Sequence, residues 1–325
     1  MTFTIVNTLD LSKAPEAIAS LEAVGNLISL PPQRGKVLEA MAQADAYLAS
    51  ASIVVDEEFL DAAPRLKLIG SPSTGTDHMN LTAIDKRSIV RFDISRERDL
   101  INSFTATAEL AFGLMLSVNR KLKPAFAAAE RGDWARERFT GFQFHGKTLG
   151  ILGLGRLGCI SARIGQGFGM KVIANDLRKV EAPGVSMVDF DTLLRQSDVL
   201  TIHVHLTPAT EGLFDERVFL RMKPNSIVIN TSRGRIVDEI ALLKALETGL
   251  IAGAGLDVID GEWLTDEERA LHPLIAFARA HPNLVITPHI AGATIESIYG
   301  ARVFMAHKMA EWLRTQQAST EAARG

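Results

Sequence analysis

The chain has 325 residues, 47% of them hydrophobic, which is enough for two cores at the usual domain size of roughly 100–200 residues. Its 35 basic and 38 acidic residues form no basic block and leave a net charge of -3, so we expect no nucleic-acid partner. The single cysteine, Cys159, cannot form an internal disulfide, which fits a reducing, cytoplasmic setting. The amino end lacks an export pattern, and the most apolar run, Ala108 to Val118, is too short to span a bilayer, so we expect no membrane partner.

Short apolar strands alternate with amphipathic stretches, which is typical of βαβ units and parallel sheets. The alternation predicts an α/β fold with two doubly wound domains and a cleft between them. The first set of predicted elements comprises strand Phe3–Asn7, helix Pro15–Ala23, strand Gly25–Leu30, helices Arg34–Ala42 and Asp56–Ala63, and strand Leu66–Gly70.

Apolar residues recur at helical spacing from Asn102 to about Arg131, which predicts one long helix that leaves the first domain and enters the second, with Asn119 on its polar side. An arm rich in charged and aromatic residues, Gly132–Lys147, follows. The second set comprises strand Leu149–Leu154, helix Arg156–Phe168, strands Lys171–Ala174, Val199–Val204 and Ser226–Asn230, helix Asp238–Glu247, and strands Ile251–Val258 and Leu284–Thr287.

The tail of the chain, from Ala291 to about Gln316, is predicted to be helical. We expect this helix to pack back on the first domain, which would make that domain discontinuous in sequence. The predicted domains are therefore residues 1–101 plus 290–325, a flavodoxin-like substrate domain, and residues 102–289.

Three glycines between a strand and a helix of the second domain have the spacing G-x-G-x-x-G. Gly153 permits the tight turn, Gly155 lets the backbone approach a pyrophosphate, and Gly158 allows close packing of helix and strand. The helix amino terminus would direct the backbone amides of Arg156 and Leu157 at the phosphates. In this context the spacing predicts a Rossmann-like dinucleotide domain rather than glycines that merely serve a turn.

An acidic residue, Asp176, ends the next predicted strand, eighteen residues after Gly158 (176 − 158). A carboxylate at this place accepts hydrogen bonds from both ribose hydroxyls and repels a 2′-phosphate, which favours NAD over NADP. The basic residues Arg178 and Lys179 lie just beyond it and keep an NADP-dependent reductase as an alternative.

The chain resembles the D-isomer-specific 2-hydroxyacid dehydrogenase family over nearly its whole length. The stretches that carry the resemblance are the glycine fingerprint, Ser73–His78, Thr107–Glu109, Asn230–Glu239, Gly253–Val258 with Glu262, and Thr287–Gly292. The resemblance implies an NAD-dependent oxidoreductase that interconverts a 2-keto acid and a D-2-hydroxy acid. Its catalytic residues would be Arg233, Glu262 and His289. A homodimer is also implied, with the arm around Trp134 in its interface.

The three implied catalytic side chains suit this reaction on physical grounds. A guanidinium such as that of Arg233 can bind the carboxylate of a 2-keto acid with two hydrogen bonds and so place its carbonyl carbon near the nicotinamide. A histidine such as His289 titrates near neutrality and can supply the proton. Glu262 would accept from the other ring nitrogen and favour the protonated imidazole. Taken singly, these residues would more simply be a surface ion pair, a loop carboxylate and a capping histidine.

The resemblance also assigns cofactor and substrate contacts. The cofactor contacts around the nicotinamide, adenosine and pyrophosphate are Thr107, His203, Val204, Thr231, Ser232, Asp257 and Gly292, which could otherwise be ordinary strand-end residues. Backbone amides of Ser73, Thr74 and Gly75 would face the substrate carboxylate. Ser50 is also predicted to face the substrate. It stands where relatives acting on 3-phosphoglycerate have a phosphate-binding arginine, so we expect a small acid such as glyoxylate, hydroxypyruvate or pyruvate.

Two residues depart from the family pattern, because Trp263 and His205 both stand where proline is usual. Trp263 would reshape the loop of Glu262 and could narrow the pocket. His203 and His205 are spaced like a metal pair, but no carboxylate or cysteine cluster accompanies them, so we expect no metal. The family also includes NAD-sensing transcriptional corepressors, which leaves a binding protein as a second alternative. The lack of long polar tails favours the enzyme.

Overall fold

The computed structural model describes residues 2–262 and 264–322. Internal contacts divide the chain into two compact units, one formed by Met1–Phe104 with Thr294–Gly325 and the other by Thr105–Ala293. The sequence placed the boundaries at residues 101–102 and 289–290, and the assignment of the two domains to substrate and cofactor stays a prediction. Each unit contains one parallel sheet with helices, so the predicted α/β class is confirmed.

The first unit is built on a five-stranded sheet. Its strands are β1 (Phe3–Asn7), β2 (Gly25–Ser29), β3 (Ala46–Leu48), β4 (Leu68–Ser71) and β5 (Val90–Asp93). Its helices are α1 (Pro15–Glu22), α2 (Arg34–Met41), α3 (Glu57–Asp61), α4 (Leu81–Lys86), α5 (Arg98–Asn102) and α14 (Ile295–Ala322). All neighbours in the order β2-β1-β3-β4-β5 are parallel. Every residue of β3 and β4 is buried, as expected for a parallel sheet with both faces covered.

Helix α14, which lies in the first unit, packs chiefly on α1 and also contacts β4 and β5. It buries Met305, Met309 and Leu313. The approach to the sheet is close, because a Cβ on Gly70 of β4 would overlap the side chain of Met309. The carboxyl-terminal helix therefore completes the core of the first unit.

The second unit is built on a seven-stranded sheet. Its strands are β6 (Thr148–Leu152), β7 (Lys171–Asn175), β8 (Val185–Met187), β9 (Val199–Ile202), β10 (Ile227–Asn230), β11 (Gly253–Leu256) and β12 (Leu284–Ile286). Its helices are α6 (Ala106–Asn119), α7 (Leu122–Glu130), α8 (Arg156–Gly167), α9 (Phe190–Gln196), α10 (Glu216–Arg221), α11 (Glu239–Glu247), α12 (Asp266–Ala270) and α13 (Pro273–Ala280). The strand order is β12-β11-β10-β9-β6-β7-β8, all parallel.

Both faces of the second sheet carry an apolar core. Successive residues of β10 belong to different clusters, since Ile227 packs with α6 and α8 residues and Val228 with residues of α9 to α11. This alternation follows from the two-residue period of a strand. The sheet is therefore a rigid support whose strand ends can hold a site.

The prediction of a single helix over residues 102–131 is wrong. The segment begins at the last residue of α5 and then forms α6 and α7. The α6–α7 break is made by Lys121, which has a left-handed φ of 49° and interrupts the helical hydrogen bonding. Asn119, predicted on a polar face, is instead buried. Its side chain donates to the carbonyl of Phe142 at 2.6 Å and accepts from the Phe142 amide at 3.1 Å. The polar residue thus ties the arm to the end of α6.

One described segment, Arg98–Asn119, has the length and mean hydropathy (1.3) of a membrane span. A core helix passes the same test, and this segment is broken between α5 and α6. Helix α6 has 14 residues, about 21 Å of helix, against roughly 30 Å of hydrocarbon in a bilayer. It packs on β10 and β11 and buries Phe112 and Met115 there.

Candidate active site

The carboxyl edge of the second sheet carries the three predicted catalytic residues. Arg233 follows β10, Glu262 follows β11 and His289 follows β12, and these strands are neighbours in the sheet. Ligands of open parallel sheets bind at this edge. Residues far apart in the sequence are therefore brought to adjacent loops.

The loop of Arg233 is fixed by a buried asparagine at the end of β10. The side-chain amide of Asn230 donates to the carbonyl of Arg233 at 2.9 Å, and its oxygen accepts from the amide of Ser232 at 2.9 Å. The hydroxyl of Ser232 donates to the carbonyl of Ile202 on β9 at 2.8 Å. Two strands thus hold the backbone from which the guanidinium extends.

Glu262 and His289 form a hydrogen-bonded pair. His289 Nδ1 lies 2.7 Å from Glu262 Oε2, and the imidazole side chain remains 41% exposed while the carboxylate side chain is 18% exposed. Since the carboxylate accepts from Nδ1, Nε2 is the nitrogen that can exchange a proton with a ligand. The contact between Nδ1 and the carboxylate leaves Nε2 for a ligand, and the role of the pair as a general acid and base stays a prediction.

The charges around His289 set its protonation. The hydrogen bond to Glu262 raises the pKa of His289 above its ordinary value of 6.5, although burial and the positive charge of Arg233 lower it. The negative charge of Asp257 adds a further upward effect. A raised pKa increases the protonated fraction at neutral pH, so the site offers an imidazolium proton and a guanidinium to an anionic ligand.

Asp257, which directly follows β11, anchors the loop of His289. Its carboxylate is 1% exposed and accepts from the amides of Ile290 at 2.9 Å and Ala291 at 2.7 Å, and from the hydroxyl of Thr287 at 2.5 Å. His289 itself has a left-handed φ of 53°, which is unfavourable for a residue with a side chain. The buried carboxylate holds the loop in this conformation. Cofactor contact by Asp257 stays a prediction.

The glycine fingerprint forms the turn between β6 and α8. Gly153 has a φ of +92°, and a Cβ there would lie 2.7 Å from the carbonyl oxygen of His203. A Cβ on Gly158 would overlap the carbonyl of Gly153. At Gly155 a Cβ would meet nothing closer than Arg178 at 3.9 Å, so space is open in front of the amino terminus of α8, where Arg156 and Leu157 lie. This cradle fits a pyrophosphate.

Asp176, one residue beyond β7, accepts hydrogen bonds within the protein. Its Oδ2 accepts from the amide of Leu154 at 2.8 Å, and its Oδ1 accepts from the amide and Nε of Arg178 at 2.8 and 3.1 Å. Burial raises the pKa of Asp176, but the bonds from Arg178 and Leu154 outweigh it and hold the pKa below its ordinary value. The carboxylate is ionised and its cationic partner is an exposed side chain.

His203 lies beneath the fingerprint turn, with its ring bound to other side chains. Its Nε2 is 2.9 Å from the Ser161 hydroxyl on α8 and 3.1 Å from the Thr201 hydroxyl. Burial lowers the pKa of His203 to about 4, so the ring is neutral. The backbone of His203 and the side chain of Val204 support Gly153, and the cofactor contacts predicted for them stay predictions.

Three further cofactor residues predicted from the resemblance lie in the second unit. The Thr231 hydroxyl, just after β10, is buried, and no described group lies within hydrogen-bonding distance of it. Thr107 is in the first turn of α6, and Gly292 is exposed with open space where a Cβ would stand. Thr231 is therefore a hydroxyl that still has a hydrogen bond to offer a ligand.

The predicted substrate loop follows β4 in the first unit. The hydroxyls of Ser71 and Ser73 are 2.9 Å apart, and Ser73 donates to the carbonyl of Gly75 at 2.7 Å. These bonds fix the backbone on either side of Thr74. The carboxylate contact of this loop stays a prediction.

Ser50, predicted to face the substrate, is buried in a turn after β3. Its backbone amide donates to the Thr8 hydroxyl at 3.1 Å, and its hydroxyl accepts from the amide of Ser52 at 3.2 Å. The Thr8 hydroxyl also lies 2.9 Å from Tyr47 Oη, and burial raises the pKa of Tyr47 to about 12. The role of Ser50 visible in the structure is to shape this turn. Trp263, the other departure related to substrate, lies outside the described residues.

A family model for the NAD-binding domain of D-isomer-specific 2-hydroxyacid dehydrogenases matches residues 112–291. The chain belongs to this family. The resemblance seen in the sequence is thereby confirmed, and with it the enzyme class, an oxidoreductase that acts on CH–OH groups.

Other members of the family are similar to most of this dehydrogenase. The glyoxylate reductase of Thermococcus litoralis is 40% identical over 289 residues, which cover 86% of this chain and 83% of that protein. The D-3-phosphoglycerate dehydrogenase of Archaeoglobus fulgidus is 37% identical over 81% of this chain but 48% of its own length. A crystal structure of D-lactate dehydrogenase from Aquifex aeolicus with NAD and lactic acid has a TM-score of 0.80 and 27% identity, covering 98% of this chain and 96% of that one.

Sequence reasoning missed the residues that hold the site in place. Asn230 and Glu239 lie inside a family stretch, but no pattern indicated that their side chains fix backbone. His272, just before α13, belongs to none of the stretches used. Only the folded structure identifies it, because its ring contacts Asp260 and Glu239, which are 12 and 33 positions away in sequence.

Proposed function

We propose that this dehydrogenase reduces a small 2-keto acid to the D-2-hydroxy acid with NADH, and catalyses the reverse oxidation with NAD. The observation that carries the proposal is the 2.7 Å hydrogen bond between Glu262 and His289 at the same sheet edge as Arg233. A raised histidine pKa beside a guanidinium is what the reduction of a keto acid requires.

Each catalytic side chain has one task in the proposed mechanism. Arg233 binds the substrate carboxylate, which orients the neighbouring carbonyl. His289 donates its Nε2 proton to the carbonyl oxygen as negative charge develops there, and takes it back in the oxidation. Glu262 accepts from Nδ1 and stabilises the imidazolium. The nicotinamide, when bound, supplies or accepts the hydride.

The cofactor is held by the fingerprint turn. The amides of Arg156 and Leu157 at the start of α8 would bind the pyrophosphate in front of Gly155. Asp176 would accept from the ribose hydroxyls, which favours NAD. Because Asp176 is paired with Arg178, that guanidinium could also meet a 2′-phosphate. An NADP-dependent reductase is therefore the second candidate, and it rests on this contact.

We propose glyoxylate, hydroxypyruvate or pyruvate as the substrate class. Ser50 offers a phosphate no guanidinium, and its hydroxyl already accepts a backbone hydrogen bond. The similarity to a glyoxylate reductase over most of both chains favours the same class. A cytoplasmic homodimer is the expected setting, because the relatives are metabolic enzymes and the family resemblance implies a dimer interface at the arm around Trp134, which is 80% exposed in the single chain.

The proposal is tested by following the loss of NADH and NADPH absorbance with glyoxylate, hydroxypyruvate, pyruvate and phosphohydroxypyruvate, and by determining the chirality of the product. We expect turnover with NADH and an unphosphorylated acid, and a D product where the product is chiral. NADH binding without turnover of any acid would refute the enzyme and support an NAD-sensing binding protein. Faster turnover with NADPH than with NADH would support the second candidate.

A further inference from the structure

A second cluster of polar side chains lies behind the catalytic loops. Glu239 begins α11, and its side chain is 19% exposed, whereas the side chain of His272, just before α13, is 9% exposed. Glu239 Oε1 accepts from the backbone amide of Asp260 at 2.8 Å. His272 Nε2 lies 2.9 Å from the Asp260 carbonyl oxygen and 3.1 Å from Glu239 Oε2. Both polar backbone groups of Asp260 are therefore bound by this pair.

The contacts of His272 identify its donor nitrogen. Its Nε2 faces only acceptors, the Asp260 carbonyl and the Glu239 carboxylate, so Nε2 donates to them. Its Nδ1 is buried and has no hydrogen-bond partner among the described residues. His272 therefore links the carboxylate to the Asp260 carbonyl through Nε2.

Asp260 is connected to Glu262 by a tight turn. Gly261 has a φ of +83°, and the amide of Leu264 donates to its carbonyl at 3.0 Å. A Cβ on Gly261 would lie 2.9 Å from the Leu264 side chain. The backbone has little freedom between the residue held by Glu239 and the residue that contacts His289.

The same segment also contacts the loop of Arg233. A Cβ on Gly234 would overlap the backbone of Ile259 and Asp260, so the residue after the guanidinium packs directly on the start of the Glu262 loop. Glu239, which follows Gly234 on the same stretch of chain, makes a second contact by accepting a hydrogen bond from the Asp260 amide. The two catalytic loops are thus joined at two points.

We propose that Glu239 and His272 are positioning residues that hold Glu262 against His289 and keep the Arg233 loop in register with it. The inference rests on the proposed function for its catalytic meaning. If Glu239 is changed to Gln, one of the two acceptor oxygens becomes a donor. Either the Asp260 amide then loses its acceptor, or His272 Nε2 keeps only the Asp260 carbonyl and faces a second donor. The Glu262 loop then relaxes, and misplacement of the acid–base pair by about 1 Å lowers kcat by about 10- to 100-fold.

A direct readout is the titration of His289 by NMR of histidine-labelled protein, with its signal assigned by its loss in His289→Gln. The charged groups that act on His289 are Glu262, Arg233 and Asp257. We expect Glu239→Gln and His272→Ala to lower the pKa of His289 towards its value in Glu262→Gln, and His272→Gln, whose amide has two hydrogens to donate, to restore it.

The matched control is Glu216→Gln. Glu216 also begins a helix, α10, and is ion-paired with Lys244 at 2.6 Å, but it does not contact Asp260. We expect its substitution to leave kcat and the His289 titration unchanged. Both substitutions remove a negative charge at a helix amino terminus, so the control accounts for that effect.

The titration separates the two proposals. A wild-type protein that reduces no 2-keto acid would refute the proposed function and leave the positioning test intact, because the titration needs no turnover. A folded Glu239→Gln variant with an unchanged His289 titration would overturn the positioning role, whatever its activity. If His272→Ala fails to fold, Glu239→Gln and His272→Gln decide the result in the same way.

Discussion

Two acidic residues follow strands of the same sheet, yet their surroundings differ. Asp176, after β7, pairs with the exposed side chain of Arg178, two residues away. Asp257, after β11, accepts from backbone amides of Ile290 and Ala291, more than thirty residues away in sequence. We call Asp176 together with Arg178 the ribose edge. We call Asp257 together with residues 287–291 the histidine edge.

The comparison shows how one sheet supplies both a ligand site and a rigid support. At the ribose edge, an exposed Arg178 can leave Asp176 when a ligand hydroxyl replaces it at small cost. At the histidine edge, the partners of Asp257 are backbone groups that no ligand can replace without moving the loop. Under the proposed function, ligand binding exchanges partners at the first edge, whereas proton transfer depends on fixed geometry at the second.

The largest effect is expected at His289 of the histidine edge, where a substitution should reduce turnover without changing NADH binding at the ribose edge. His289→Gln removes the acid, so kcat for keto-acid reduction should fall by about 10²- to 10⁴-fold, while NADH affinity at the ribose edge is unchanged. Stopped-flow turnover and NADH fluorescence titration measure the two effects. His281→Gln, at an exposed histidine stacked on Phe277, is the control. Equal losses of kcat and NADH affinity would contradict a role of His289 in proton transfer alone.

The rigidity of the histidine edge is tested by Asp257→Ala. The variant leaves the amides of Ile290 and Ala291 without a hydrogen-bond acceptor, and each unsatisfied amide costs about 1–3 kcal/mol. We expect the free energy of unfolding, measured with urea, to fall by about 2–6 kcal/mol. Asp189→Ala removes an exposed helix cap and should cost about 1 kcal/mol. If both variants lose the same stability, Asp257 does not hold the edge.

Arg233→Ala removes the proposed carboxylate contact beside the histidine edge. A charge-assisted hydrogen bond contributes about 1.5–3 kcal/mol, so the KM for the keto acid should rise by about 10- to 100-fold with little change in NADH affinity. Arg235→Ala, at an exposed arginine paired with Glu211, is the control. A parallel loss of NADH affinity would assign Arg233 to the cofactor instead.

The smallest effect is expected at the ribose edge. Arg178→Ala frees Asp176 and removes the cation available to a 2′-phosphate, so the preference for NADH over NADPH should increase by at most about fivefold. Initial rates with the two cofactors measure this ratio, with Lys171→Ala, at the exposed opposite end of β7, as the control. A shift towards NADPH would show that Arg178 does not favour the phosphate.

Local motifs in the sequence were sufficient to predict the fingerprint turn and to select three residues, Arg233, Glu262 and His289, that the fold brings to one sheet edge. Gly153 needs a positive φ and a close approach to His203, which the sequence pattern encodes. The helix break at Lys121 was missed because the apolar spacing continues through it. The short strands β3, β5 and β8 were also missed, because a run of three or four residues has too little pattern to recognise.

The supporting contacts of the site could not be predicted because they join distant segments. The carboxylate of Asp257 meets Ile290, and the ring of His272 meets Glu239, only after the sheet has formed. No local spacing encodes such pairs. The identity of the catalytic residues is thus a property of motifs, whereas their fixed geometry is a property of the fold.

The central claim is that Glu262 holds His289 as the proton donor, and the pH dependence of kcat tests it most directly. Reduction needs protonated His289, so the rate should fall as pH rises through its pKa, which in the wild type lies above the ordinary 6.5. In Glu262→Gln this alkaline limb should move to lower pH, while Glu267→Gln, at an exposed glutamate of α12, leaves it in place. A limb at the same pH in all three proteins would contradict the account.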